Sequence, residues 1–189
     1  MSHFQCFPPT MSEKTFQHFL KANAGVKENE PKVDWNRTRE EWLIALGELF
    51  EQVKGFLSKY EEVKIDEEPI QLAESQLGTY QVSRLVLKVR GLKATLTPVG
   101  TIIVGGKGRV DLAGMKGTMR FVLVNEHAVS PAFGFSLKIG DKVIEEGVHH
   151  GVPEGGFVWK IATPPPKIRY GPLNADTFFD ALLTVIGGE

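Results

Sequence analysis

The chain has 189 residues, of which 42% are hydrophobic and 24% charged, values that exclude the disordered and fibrous classes of protein. A formal net charge of −1 excludes a histone-like polycation. A single cysteine, Cys6, excludes an intrachain disulfide and makes the cytoplasm the expected compartment. The apolar stretches are too short to cross a bilayer, so we expect no membrane association.

The first 36 residues are predicted to form a tail, a short helix and a connector. Residues 12–24 place three large apolar side chains on one helical stripe, and Gly25 follows as a stop signal. Residues 26–36 are polar and contain a proline, which predicts a connector. The remaining residues, 37–189, are then expected to form the main domain.

A long amphipathic helix is predicted for residues 38–60. Thr38 and Glu41 match a T-x-x-E capping box, in which each side chain satisfies a free backbone N–H at the start of the helix. Apolar residues follow at three- and four-residue steps, which predicts a wide face against a core. These residues are Trp42, Leu46, Leu49, Phe50, Val53, Phe56, Leu57 and Tyr60.

From residue 63 to residue 162 the apolar period changes to two. Leu85 and Leu87, for example, alternate with Val86 and Lys88, a pattern typical of antiparallel strands with one face on a core. The glycine-rich connections are too short for crossover helices, so the sequence predicts a meander. A further hairpin is expected over residues 133–146, and the last strand of the sheet over residues 157–162.

The chain closes with a second predicted helix, residues 174–186. Asn174 is a preferred N-cap residue, and Gly187 stands where the helix should end. We therefore predict an α+β fold with a single domain. Its antiparallel β-meander of about seven strands is packed by the N-terminal long helix and the C-terminal helix.

The main functional hint is a run of positive charge in the predicted sheet. From Arg84 to Arg120 the chain carries eight Lys or Arg residues against one acid, Asp111, and alternation places much of this charge on one face. Such a face attracts anions and acidic surfaces, unless carboxylates of the acidic helix 38–60 cover it. The candidate binding residues are Arg84, Lys88, Arg90, Lys93 and Arg120.

Trp35 is a further candidate binding residue. It stands in the polar connector, just before the predicted helix, where a tryptophan has no obvious place in a core. Two interpretations remain open: an exposed anchor for a partner, or a cover for the start of the helix.

Patterns typical of catalysis are weak. His149 and His150 are a possible metal pair, but adjacent residues in a strand point to opposite faces, and no zinc-type spacing supports them. The glycine-rich residues 104–111 precede a strand rather than a helix, unlike a phosphate-binding loop. We therefore expect no cofactor and no enzymatic activity.

We expect a non-catalytic interaction or accessory protein that binds a protein partner through its basic sheet face. A first alternative is a sequence-independent nucleic-acid-binding protein that uses the same face. A remote alternative is a metal-dependent hydrolase that uses His149 and His150. The sequence leaves the oligomeric state open.

Overall fold

The chain divides into two compact units, Met1–Asp34 and Trp35–Glu189. In the first unit, residues 14–18 are helical, and the rest of the helix predicted over residues 12–24 lies outside the described residues. The computed structural model describes residues 14–18, 33–101, 103, 105–131, 135–139, 142–146 and 155–187, with backbone alone for 135–139 and 142–146.

The second unit begins with helix α1 (Trp35–Leu57) and ends with helix α2 (Ala175–Ile186). Within the described residues no helix is long and apolar enough to span a membrane. The strands between the helices are β1 (Val63–Glu74), β2 (Gly78–Val89), β3 (Leu92–Gly100), β4 (Gly106–Gly114), β5 (Gly117–Asn125), β6 (Phe135–Ile139), β7 (Lys142–Glu146), β8 (Phe157–Ala162) and β9 (Tyr170–Pro172).

Seven of the described strands form one antiparallel sheet, in the order β1-β2-β3-β4-β5-β8-β9. The predicted α+β meander with a helix before and after it is confirmed. The set of strands that make up the sheet differs from the prediction in two respects. Strands β6 and β7 pair with each other in a separate two-stranded sheet. Strand β9 takes the seventh place, because Tyr170, Gly171 and Pro172 pair with the last residues of β8.

Helix α1 begins three residues before the predicted start. Its first residue is Trp35, and Asp34, a residue type preferred at N-caps, immediately precedes it. Thr38 therefore lies in the first turn and does not cap the helix. Glu41 instead accepts hydrogen bonds from Arg37 (2.9 Å) and Lys107 (3.2 Å). The predicted apolar stripe is nevertheless the buried face of the helix as far as Leu57, where the helix ends; Tyr60, predicted to continue the stripe, lies beyond the helix and is 45% exposed.

Helix α2 starts and ends where the sequence predicts. The Asn174 side chain accepts a hydrogen bond from the Thr177 backbone N–H (3.0 Å), and the Thr177 hydroxyl accepts one from the Asn174 N–H (3.0 Å). Gly187 ends the helix in the left-handed conformation, with φ of 85°. Both ends of α2 are determined by local hydrogen bonds and backbone conformation, which is why they could be predicted from the sequence alone.

Both helices pack on the same face of the sheet, and the main core lies between them and the strands. We call the opposite face of the sheet the outer face. Trp159 links β8 to α1, because its indole N–H donates to the Ala45 carbonyl (2.9 Å). The largest fully buried side chains of the core are Trp42, Phe121, Phe178, Leu49, Leu85, Leu87, Leu96 and Leu112.

Gly108 shows why the segment between β3 and β5 is rich in glycine. A Cβ atom at this position would lie 2.2 Å from a ring carbon of Trp42, so only glycine allows α1 to approach β4 this closely. The pairing of β4 with β5 shifts register between Gly106 and Gly108, which marks a β-bulge. These glycines serve helix–sheet packing and the bulge.

Part of the outer face is closed by a second, smaller apolar cluster. Val122, Val124 and Ala162 are buried there, and the chain around residues 126–131 folds over them. Lys160 fixes this segment, since its ammonium donates to the carbonyls of Glu126 and Ala128, both at 2.7 Å. The partly buried residues packed on the cluster are Ile103, Ala128, Ile168 and Tyr170.

Candidate functional site

The predicted cations of the strands lie on the outer face. On β2 and β3 the core side is occupied by Leu85, Leu87 and their neighbours, so Lys88 and Lys93 point to the opposite side. Arg90 lies in the turn between these strands, with a positive φ of 46°. Because α1 packs on the core side, its carboxylates do not cover this charge.

Strand β1 and Glu62, the residue just before it, supply the carboxylates that pair with three of the predicted residues. Arg84 donates to Glu68 through Nη2 (2.6 Å) and Nε (2.9 Å). The Lys88 ammonium lies 2.6 Å from Asp66. Arg90 contacts Glu62 at 3.5 Å. The sequence suggested helix 38–60 as the source of neutralising charge, but the carboxylates belong to the edge strand next to β2 and to Glu62, which precedes that strand.

The pair between Lys88 and Asp66 is electrostatically coupled although both side chains are half exposed. The hydrogen bond from Lys88 lowers the pKa of the Asp66 carboxyl, and the same bond raises the pKa of Lys88. Water screens exposed pairs of this kind, so they contribute little to stability. An external charged ligand can therefore replace one partner of the Lys88–Asp66 pair at a small cost in free energy.

Three lysines lie side by side across neighbouring strands. The β-ladder pairs Lys64 with Lys88 and Lys88 with Lys93, so one row of ammonium groups crosses β1, β2 and β3. We call Lys64, Lys88 and Lys93 the lysine row. Lys64 and Lys93 form no ion pair with the described residues. Like charges directly opposite one another destabilise a sheet, so the row has no structural benefit of its own.

The lysine row lines a shallow pocket of about 490 Å³. Arg90 adds a fourth cation, whereas Glu62 is the sole carboxylate among the described lining residues. Leu92, which is 37% exposed, provides an apolar contact at the rim. The sequence did not reveal Lys64 as part of this site, because the register between strands, not the spacing within one strand, brings it there.

Arg120 does not join the lysine row. It lies on β5, with β3 and β4 between it and β2. Its ladder partner is Asp111, but that carboxylate accepts two hydrogen bonds from Arg109 (2.6 and 2.7 Å), which raise the pKa of the guanidinium. Arg120 instead lines a separate pocket of about 250 Å³ with Thr118 and Thr163.

Trp35 also lies apart from the basic residues. It is the first residue of α1, its exposed fraction is 37%, and it lines a small pocket of about 170 Å³. Trp42, Thr101 and Lys107 line the same pocket. Since α1 packs on the core side of the sheet, Trp35 and the lysine row cannot contact one flat partner surface together.

The predicted metal pair, His149 and His150, lies outside the described residues. In the part of the chain that the structure describes, no group of three His, Cys, Asp or Glu side chains could hold a metal ion.

A partly buried polar cluster around Glu74 was not predicted. Glu74, at the end of β1, accepts hydrogen bonds from the Tyr80 hydroxyl and from the backbone N–H (2.7 Å) and hydroxyl (2.8 Å) of Thr101. Burial, followed by the bond to Glu74, raises the pKa of Tyr80 well above its usual range. The Tyr80 hydroxyl therefore keeps its proton at neutral pH, and Glu74 ties β1 to β2 and to the residue after β3.

Comparisons with known proteins return no match: no family model, no curated protein and no solved structure is significantly similar to this chain. The case for function therefore depends on the geometry of the sheet alone.

Proposed function

We propose that the protein is a non-catalytic binding protein whose outer sheet face docks an acidic surface of a partner protein. The observation that carries the proposal is the lysine row with Arg90 around its pocket. Repulsion within the row is relieved when a ligand supplies the opposite charge.

The surroundings of the row favour a protein partner over nucleic acid. Asp66, Glu68 and Glu62 alternate with the cations, and these carboxylates would repel a continuous phosphate backbone. Single-stranded nucleic acid also binds through aromatic side chains on which bases stack. The described lining of the pocket contains Leu92 but no aromatic residue. A protein surface with a few spaced carboxylates matches this mixture better.

The spacing of the row defines the ligand. Neighbouring strands lie about 4.8 Å apart, so the three lysine positions span roughly 10 Å across the sheet. Two or three carboxylates of an acidic helix or strand can meet ammonium groups at this spacing. Such contacts are charge-assisted and act mainly on the rate and specificity of association, so binding should weaken steeply as salt is added.

The test uses a double variant, Lys64→Gln with Lys93→Gln, which removes the two unpaired lysines and leaves the Lys88–Asp66 pair in place. The matched control, Lys167→Gln with Arg169→Gln, removes the same charge from exposed positions near the other end of the sheet. The probes are a fluorescein-labelled peptide of alternating glutamate and serine, and a single-stranded oligonucleotide of equal net charge.

We expect the peptide to bind the wild type more tightly than the oligonucleotide at physiological ionic strength. The row variant should lose about fivefold in peptide affinity and the control less than about twofold. The unfolding midpoint of the row variant should not fall, because repulsion is relieved. Equal losses in both variants would overturn the proposal, and tighter oligonucleotide binding would replace it with the nucleic-acid alternative.

A further inference from the structure

The second site lies at the opposite end of the sheet, where strand β8 is only partly paired. On one side β8 pairs with β5 along its whole length, from Phe157 to Ala162. On the other side β9 pairs with Lys160, Ile161 and Ala162 alone. The chain then turns at Asn174 into helix α2. Residues 157–159 of β8 therefore have no strand partner on this side among the described residues.

The hydrogen-bond pattern shows which backbone groups face the unpaired side. Glu126 N–H donates to the Gly156 carbonyl (2.9 Å), so even-numbered positions of this segment face β5. Thr163 N–H donates to the Arg169 carbonyl (2.9 Å), so odd-numbered positions face the β9 side. The N–H and C=O groups of Phe157 and Trp159 consequently point along the sheet plane, beyond the end of β9.

A groove of about 510 Å³ runs beside this edge, between β8 and helix α1. We call it the edge groove. Its helix wall carries Glu41, Ala45, Glu48 and Gln52, which recur at helical spacing along one side of α1. Its other wall and floor carry Lys107 and five apolar side chains, Leu123, Phe157, Val158, Trp159 and Leu173. The hydrogen bond from Trp159 to Ala45 holds the two walls together.

The helix wall of the edge groove is acidic, and the lysine in its described lining, Lys107 of β4, is already bound to one of these carboxylates. Glu41 is already bound by Arg37 and by Lys107, which also lies 4.5 Å from the centre of the Phe157 ring. Glu48, two turns of helix further on, is exposed and has no ion-pair partner in the described part of the chain. A ligand that passes along β8 therefore meets an unpaired carboxylate opposite the strand edge.

We propose that the edge groove binds an extended segment of a partner protein, which adds a strand to β8 and places a lysine or arginine next to Glu48. Backbone hydrogen bonds to Phe157 and Trp159 would supply affinity, and the apolar floor and Glu48 would select the side chains. This site is independent of the lysine row, since it lies on the edge and the core side of the sheet.

The other edge of the sheet, strand β1, differs from the unpaired part of β8 in its sequence. Strand β1 contains Pro69 and a run of charged residues, two devices that discourage pairing with another chain. The unpaired residues of β8 include neither a proline nor a charge. An apolar edge of this kind is a template for pairing, and the groove beside it gives the incoming strand a defined place.

The probe is a fluorescein-labelled peptide of alternating valine and lysine, compared with the same peptide N-methylated at alternate amides. Methylation removes the backbone donors and keeps every side chain. We expect the methylated peptide to bind about tenfold more weakly, and a valine–glutamate peptide to bind more weakly still. Equal binding of the methylated and unmethylated peptides would overturn strand addition.

Two matched pairs of variants locate the site. Phe157→Pro removes the edge N–H, whereas Phe157→Ala removes the same ring and keeps the N–H. Only the proline variant should lose backbone pairing, by about threefold to tenfold relative to the alanine variant. Glu48→Gln should weaken binding of the lysine peptide by roughly threefold, and the control Glu40→Gln, at an exposed position outside the groove, should not.

A second copy of the chain is the competing occupant. Two β8 edges could pair with each other, and sedimentation of the wild type over a range of concentrations reports such a dimer. A dimer that Phe157→Pro abolishes and the valine–lysine peptide fails to displace would overturn the proposal in favour of self-association. A monomer that binds the peptide, with the variant pattern above, supports it.

Discussion

The two ends of the main sheet are built from different interactions. At the β1 end, exposed carboxylates and cations lie on the outer face, and the edge strand is protected by Pro69 and its charges. At the β8 end, two buried tryptophans stack between strand and helix, with ring centres 6.0 Å apart, and the edge is apolar. The β1 end exposes charged side chains, whereas the β8 end exposes unpaired backbone groups beside the edge groove.

Side chains suited to ligand binding and side chains that stabilise the fold are therefore concentrated at different ends of the sheet. Surface charges at the β1 end contribute little to folding, so they can be arranged for a ligand. Burial at the β8 end fixes the position of α1 against β8, so the shape of the edge groove depends on the core itself. Changes at the β1 end should therefore affect binding more than stability, and changes near Trp159 should affect both.

The largest effect on stability is expected from Trp159→Phe, with Trp42→Phe as its matched control. The Trp159 indole N–H donates to the Ala45 carbonyl, whereas the buried Trp42 N–H has no hydrogen-bond partner among the described residues. Both changes remove similar volume. Trp159→Phe should therefore cost about 1 kcal/mol more, because it removes a hydrogen bond between β8 and α1, whereas Trp42→Phe removes an unpaired donor.

Urea unfolding of the two tryptophan variants measures this difference. The expected order of the two losses is the opposite of the order that burial alone would give, since Trp42 is 1% exposed and Trp159 is 9% exposed. A greater loss for Trp42→Phe would show that packing alone holds α1 on the sheet. The valine–lysine peptide should also bind Trp159→Phe more weakly than Trp42→Phe, because the wall of the edge groove is no longer fixed.

Much of the fold follows from local patterns in the sequence. The period-two alternation predicts the meander because each strand has one buried face, and Asn174 and Gly187 mark α2 because caps use nearby atoms. The start of α1 was misplaced because Thr38 and Glu41 form a capping motif in sequence, whereas Glu41 bonds to Arg37 and to Lys107 on β4. The tertiary contact with Lys107 engages the Glu41 side chain, which the capping box would require.

The sites are less visible in the sequence, because they depend on register between strands. Lys64 joins Lys88 and Lys93 only through pairing of three strands, and no spacing within one strand shows it. Strand β9 is three residues long and follows a proline-rich connector, so its sequence contains no strand pattern. Without β9, the length of unpaired edge on β8 cannot be predicted either.

A smaller effect on stability is expected from Glu68→Gln at the β1 end. The Arg84 and Glu68 side chains are 36% and 41% exposed, so water screens their attraction. Loss of the charge should lower the free energy of unfolding by less than about 1 kcal/mol at low salt and by almost nothing at high salt. Urea unfolding at both ionic strengths checks this, and a loss above about 2 kcal/mol would contradict a purely superficial role.

The smallest effect on stability, but an informative one for binding, is expected from Asp66→Asn. Lys88 lowers the pKa of the Asp66 carboxyl, so the pair contributes stability above the ordinary pKa of aspartate and loses it as the pH falls through the lowered value. Wild type and variant should therefore differ slightly in unfolding midpoint at neutral pH and converge in acid. Midpoints measured across this range test the sign.

The same substitution should strengthen binding of the glutamate–serine peptide at neutral pH. Asp66→Asn leaves Lys88 without its carboxylate and makes the lysine row more positive, so affinity should rise about twofold to threefold. The control Asp180→Asn changes an exposed carboxylate on α2 and should leave affinity unchanged. A loss of peptide affinity in Asp66→Asn would mean that the pair positions Lys88 for its ligand, and that charge alone does not define the site.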